Sequence, residues 1–140
     1  MRQSPAAPRS SRRLFAVGDI HGCVDELCAV LDAIEPAAGD TVVFVGDYVD
    51  RGPSPRGVIE RLIELRDSSG ARCVFLKGNH EDMFLAWLGE PGRHGDAFLL
   101  NGGRITLESY SLTPSAHCED ARHRLPPSHL EFLRSLAVFD

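Results

Sequence analysis

The sequence has four cysteines, Cys23, Cys28, Cys73 and Cys118, but no Cys-x-x-Cys pair. Their spacing gives no sign of a zinc knuckle or a dithiol redox motif. Cys23, Cys28 and Cys73 stand among apolar residues and read as buried, reduced thiols, which fits a cytoplasmic location. No apolar run approaches the roughly 20 residues that span a bilayer; Thr41 to Val45 is typical of the short runs present. No membrane partner is therefore expected. There is no internal repeat and no long linker, and 140 residues suit one domain. The first thirteen residues lack any acid and carry Arg2, Arg9, Arg12 and Arg13 among Pro, Ala and Ser. Residues 1–13 read as a disordered basic tail, without the apolar stretch of a secretory signal, and residues 14–140 as the domain.

The net charge of −5 conceals an acidic body, because residues beyond the basic head carry 20 acidic against 11 basic side chains. Nucleic acid is a poor partner for such a surface, since neutralising phosphates needs clustered cations. Cations are a better match.

Periodicity gives alternating strands and helices. Leu14 to Val17 is a short apolar strand ending at Gly18. Leu27, Val30, Leu31 and Ile34 share one helical face, ended by Pro36 and Gly39. Thr41 to Val45 is a second strand, rich in β-branched residues. Ser54-Pro55 opens a helix carrying Val58, Ile59, Leu62, Ile63 and Leu65. Cys73 to Leu76 is a third strand and Glu81 to Leu88 a third helix. Ile105 to Tyr110 reads as a short helix, Ser111 to Arg124 as loop, and Ser128 to Leu136 as a helix opened by a capping box. Ala137-Val138-Phe139 reads as the start of another strand. This β-α-β-α-β-α order predicts an α/β fold with a parallel sheet covered on both faces, binding ligands beyond the carboxyl ends of its strands.

Three polar clusters follow those strands: Gly18-Asp19-Ile20-His21-Gly22, Gly46-Asp47-Tyr48-Val49-Asp50-Arg51-Gly52 and Gly78-Asn79-His80-Glu81. Each alone has an ordinary structural reading as a turn, a hydrogen-bonded His, or a helix cap with first-turn acid. Together they put carboxylates, imidazoles and an amide at three successive strand-to-helix junctions. These are ligands for divalent metals, and carboxylates gathered at one point need cations between them.

The clusters resemble the signature of the phosphoprotein phosphatase family within the calcineurin-like metallophosphoesterases, in particular the bacterial and phage enzymes of the lambda-phosphatase type. The flanks Val74-Phe75-Leu76-Lys77 and Asn101-Gly102-Gly103-Arg104-Ile105-Thr106-Leu107 extend the similarity. Three long motifs in order are specific. The resemblance implies an α/β/β/α metallophosphatase sandwich, of which this chain holds the N-terminal half. It implies two divalent ions, manganese first, with iron, zinc, nickel or magnesium as alternatives. Asp19 and His21 would hold one ion, Asp47 would bridge both, and Asn79 would hold the other. His80 would act as general acid, oriented by Asp50. Arg51 would grip phosphate with Asn79, and Lys77 stands where such enzymes often have a phosphate-facing Arg. The implied reaction is hydrolysis of phosphate monoesters by a metal-activated water, on phosphorylated proteins or small phosphate esters.

The family's two further His ligands, and a second phosphate-binding Arg, have no counterpart here. His117, His123 and His129 lie in a polar stretch and read as surface residues. The chain therefore reads as a truncated form with a weakened second metal site and an uncovered sheet face. Two other readings stand beside the phosphatase. One is a dinucleoside-polyphosphate hydrolase, disfavoured because that family usually has Ala where Asp50 stands. The other is an inactive metal-binding or interaction module whose site a partner completes.

Overall fold

A computed structural model describes residues 12–138. Most of the tail assigned from composition, and Phe139 of the last expected strand, lie outside those residues. Three strands form one parallel sheet in the order β1-β2-β3: β1 (Leu14–Val17), β2 (Thr41–Phe44) and β3 (Arg72–Phe75). Phe15, Val42 and Cys73 stand in register, as do Val17, Phe44 and Phe75. The crossovers are α1 (Val24–Ile34) and α2 (Pro55–Ser68). Sequential parallel strands joined by right-handed crossovers carry both helices on the same face, and α1 and α2 pack against each other.

The sheet is accordingly one-sided. Val42 and Phe44 are fully buried beneath the helices, whereas Leu14 and Val45, which point the other way, are 73% and 43% exposed. The double cover suggested by the all-apolar strands is not present among the described residues. Only the arrangement of the crossovers settles this point, because both faces are apolar in sequence.

The buried face is an aromatic stack. Phe75 lies 5.1 Å from Phe44 on one side and 5.1 Å from Phe132 on the other. Phe44 and Phe132 are fully buried, which stabilises the fold by about 1.5–3 kcal/mol for each ring, and Phe75 between them is partly buried. Phe132 belongs to α6 (Pro127–Arg134), which therefore closes the core although it is distant in sequence. The third helix, α3 (Asn79–Trp87), begins two residues before its expected start. After α3 come two short 3-10 turns, at Gly95–Ala97 and Leu99–Asn101, and α4 (Gly103–Ser109).

Several expectations need correction. The stretch 111–124 is not all loop: α5 spans Cys118–Arg124. It has a single buried anchor, Ala121, so no apolar stripe advertises it; Glu119 and Asp120 in its first turn and Arg122, His123 and Arg124 in its last match the helix dipole instead. The helix α6 starts with Pro127 at its first position, and Ser128 makes no capping bond. Val30, on the expected inner face of α1, is 42% exposed. His129 is buried rather than superficial, with its ring hydrogen-bonded to the Tyr110 hydroxyl at 2.8 Å, while His117 and His123 are exposed as expected. Cys23, Cys28 and Cys73 are free but only partly buried, because each sits at the margin of the core. Arg13, grouped with the tail by composition, is held by the Asp40 carboxylate at the entry to β2. Ala137 pairs with Leu76 as an isolated parallel bridge where a strand was expected. No helix among the described residues is long and apolar enough to cross a membrane.

Candidate metal centre

The three polar clusters leave the sheet at the same end, because all three strands run parallel. The loop after β1 is bonded to the loop after β2: the Ile20 and His21 amides donate to the Asp47 carbonyl at 3.0 and 2.9 Å, and Gly22 donates to Tyr48 at 2.9 Å. The backbones approach so closely that side chains are excluded. A Cβ on Gly52 would lie 1.8 Å from the His21 carbonyl oxygen, and one on Gly78 would lie 2.2 Å from the Asp47 carboxylate. Four residues of the clusters have left-handed backbones that their side chains disfavour: His21, Asp47, Asp50 and Arg51 at φ 42°, 55°, 70° and 70°. Such strain persists only where surrounding contacts enforce it.

The enforcing contact between the second and third loops is Glu81, a fully buried carboxylate. One of its oxygens accepts from the Asp47 and Gly78 amides at 2.8 and 3.0 Å. The other accepts from Tyr48 and Val49 at 2.6 and 3.2 Å. Burial pushes the Glu81 carboxyl up to about 7, while the backbone donors pull it down. Because both oxygens meet donors, we assign the carboxylate form at neutral pH. Sequence reasoning gave Glu81 no role of its own, since an acid in the first turn of a helix is commonplace. In this position it accepts the Gly78 N–H as a cap and also gathers the Asp47 loop.

The ligand atoms of His21, Asp47 and His80 lie within 4.8 Å of one another. The His21 Nδ1 lies 2.8 Å from the Val49 carbonyl, and the His80 Nδ1 lies 2.7 Å from the Asp50 carboxylate. Each Nδ1 is thus the donor to an oxygen, which leaves each Nε2 free to meet a metal or a substrate oxygen. The two rings meet edge to face at 4.6 Å. Asp19 is mostly exposed, with its carboxylate 4.0 Å from the His21 Nε2. The Asn79 side-chain amide lies 3.2 Å from both Asp47 carboxylate oxygens. With its NH2 turned toward them it donates to both. With its oxygen toward them, three oxygens face one another, an arrangement that a cation between them relieves. The donor set therefore fits divalent metal.

Asp50 is buried, and desolvation pushes its carboxyl up against hydrogen bonds from Thr106 and His80. Thr106 stands in a flank noted from sequence, but no signal there marked it as part of the site. Arg51 is exposed beside Gly102, whose carbonyl accepts its amide at 3.4 Å. Lys77 shares with Asn79, Asp82, Arg93 and His94 an open cleft of about 440 Å³.

Comparison with known proteins places this geometry. The sequence pattern of the calcineurin-like phosphoesterases matches residues 12–135. The symmetrical bis(5'-nucleosyl)-tetraphosphatases of Escherichia coli and Shigella boydii are 42% identical over 73 residues, which cover 51% of this chain and 25% of theirs. The matched segment thus spans about a quarter of the length of these curated relatives. Among solved structures, a candidate diadenosine tetraphosphatase is 29% identical with a TM-score of 0.55, covering 93% of this chain and 45% of its own. A cold-active protein-tyrosine phosphatase from a psychrophilic Shewanella shares the fold at 19% identity, with a TM-score of 0.57 over 93% of this chain and 42% of its own. With the match running through all three strands and every residue of the cluster, the chain belongs to the calcineurin-like phosphoesterases.

Proposed function

We propose that the protein hydrolyses phosphate esters with divalent metal bound at the cluster after the three strands. The observation that carries this reading is the convergence of His21, Asp47 and His80 ligand atoms within 4.8 Å, with Asn79 and Asp19 at the margin. Asp19 and His21 would hold one ion, and Asp47 and Asn79 would hold the other. When bound, a pair of such ions lowers the pKa of a coordinated water toward about 7 and clamps an in-line displacement at phosphorus. The protein's own part is orientation and proton transfer. Asp50 fixes the His80 ring so that its other nitrogen can serve the leaving-group oxygen. Arg51 offers a planar fork of donors to two phosphate oxygens at the mouth of the site, and Lys77 a point charge.

The substrate class shifts from the sequence reading. Asp50-Arg51 favours a phosphomonoesterase, including a protein phosphatase. The more similar relatives carry a tetraphosphatase name, whereas the likeness to a protein-tyrosine phosphatase supports only the fold. Dinucleoside polyphosphates therefore come first and phosphomonoesters second. The test is manganese-dependent turnover of diadenosine tetraphosphate beside an aryl phosphate, with chelator controls. Faster cleavage of the dinucleotide supports the first reading, and faster cleavage of the monoester the second. Absence of metal-dependent turnover on both would sink the enzymatic reading and leave the metal-binding module.

A further inference from the structure

The His80–Asp50 pair continues into a third residue. Asp50 and Thr106 are fully buried, and His80 is 3% exposed. The Asp50 amide donates to the Thr106 hydroxyl oxygen at 2.9 Å. The hydroxyl has a single proton, and its oxygen lies 2.6 Å from one Asp50 carboxylate oxygen. That oxygen can only accept, so the proton points to it. The other Asp50 oxygen remains for the His80 Nδ1 at 2.7 Å. One hydroxyl therefore grips both the main chain and the side chain of a residue whose backbone is left-handed at φ 70°.

Helix α4 delivers this hydroxyl and is itself seated on the same loop. The Gly102 carbonyl at its start accepts the Arg51 amide at 3.4 Å. A Cβ on Gly103 would meet the Phe98 ring at 2.5 Å, so only glycine lets the helix lie this close. One turn further on, the Ser109 hydroxyl accepts the Arg56 amide at 3.3 Å and donates to the Thr106 carbonyl at 2.7 Å.

We propose that Thr106 is a positioning residue for proton transfer: its hydroxyl locks the Asp50 carboxylate so that the free oxygen holds the His80 ring toward the metal cluster. The proposal rests on the phosphoesterase reading for its consequence in catalysis, but not for the hydrogen-bond relay itself. Without the hydroxyl, the Asp50 carboxylate loses one of its two anchors and can rotate, and the His80 ring loses its fixed partner. Substrate binding does not involve Thr106, so kcat should change and KM should not. The loss should be largest where the leaving oxygen most needs a proton.

Two measurements on Thr106→Val and Thr106→Ser in the full chain test it. The first is the exchange rate of the downfield Nδ1 proton of His80 in NMR spectra. It should be slow in the parent and in Thr106→Ser, and fast or broadened away in Thr106→Val. The second is manganese-dependent hydrolysis of phenyl phosphate against 4-nitrophenyl phosphate, whose leaving group departs without help. Outer residues that orient a catalytic group are typically worth on the order of 10–100-fold. A kcat loss of that size on phenyl phosphate, a smaller one on 4-nitrophenyl phosphate, and recovery in Thr106→Ser are expected. A folded Thr106→Val that keeps the slowly exchanging proton, or loses both activities equally, overturns the proposal. If the parent turns over neither substrate, the phosphomonoester reading fails, and the proton signal alone decides the role of Thr106. Where Thr106→Val does not fold, Thr106→Ala, which removes the hydroxyl without placing an apolar branch against Asp50, is read in the same way.

Discussion

Glu81 shows how much one side chain can organise. Its two oxygens serve four backbone donors drawn from two loops. Replacing one oxygen by an NH2 group sets donors against donors in a buried space. Glu81→Gln is therefore expected to cost about 2–3 kcal/mol, since each buried polar group left unmatched is worth about 1–3 kcal/mol. Urea unfolding measures this directly, and unchanged stability would mean that the loops hold their shape without Glu81. His80 makes a different kind of demand. Its Nδ1 is committed to Asp50, and its remaining nitrogen lies among the ligand atoms. If it transfers a proton, His80→Asn should lower kcat by about 10²–10⁴-fold with metal affinity nearly intact by calorimetry. Loss of metal with that substitution would make His80 a ligand instead.

At the level of elements, the turn between α1 and β2 is pinned to the start of β1. The Arg13 guanidinium and amide and the Ala37 amide all converge on the Asp40 carboxylate. The hydrogen bond from Arg13, chief among these, holds the Asp40 carboxyl well below its ordinary value of 3.8. A carboxyl with a depressed folded pKa stabilises the fold fully above its unfolded value, and that contribution is lost as pH falls through the folded one. Asp40→Asn should therefore melt earlier than the parent at pH 7, and the gap should narrow as pH falls below about 4. Thermal melts at neutral and acid pH check the sign; a gap that widens in acid would show that Arg13 does not hold Asp40 in solution. The ends of α3, α5 and α6 are tied similarly, because Glu90 accepts from Arg134 at 2.8 and 2.6 Å and from Arg122 at 3.3 Å.

The whole molecule is shaped by having its helices on one side of the sheet. The opposite face presents Leu14 and Val45, and Val138 near the β3 edge is 66% exposed. An uncovered apolar face beside a strand edge favours association. Sedimentation of the purified chain should show concentration-dependent self-association. Leu14→Lys, at a position already 73% exposed, should reduce it without lowering the melting temperature appreciably. A chain that is monomeric at all concentrations would show that the face is tolerated in water.

Much of this protein is decided locally. The alternation of strands and helices, and the placement of Asp19, His21, Asp47, Asn79 and His80 immediately after strands, follow from apolar periodicity and from glycines at chain reversals. Parallel strands then bring the clusters to one end without further instruction, which is why their convergence is legible in the sequence. Other features are settled only by tertiary contact. His129 looks like a surface residue in a polar stretch but is buried against Tyr110. Helix α5 forms with one apolar anchor, so periodicity misses it. Thr106 reaches Asp50 from 56 residues away, and a threonine in a helix gives no local sign of its partner. The physical reason is common to all three. Local sequence specifies backbone preference and which face is apolar. The partner of a buried hydroxyl, imidazole or carboxylate is fixed only when distant elements close over it, because unpaired polar groups in that space would cost too much to bury.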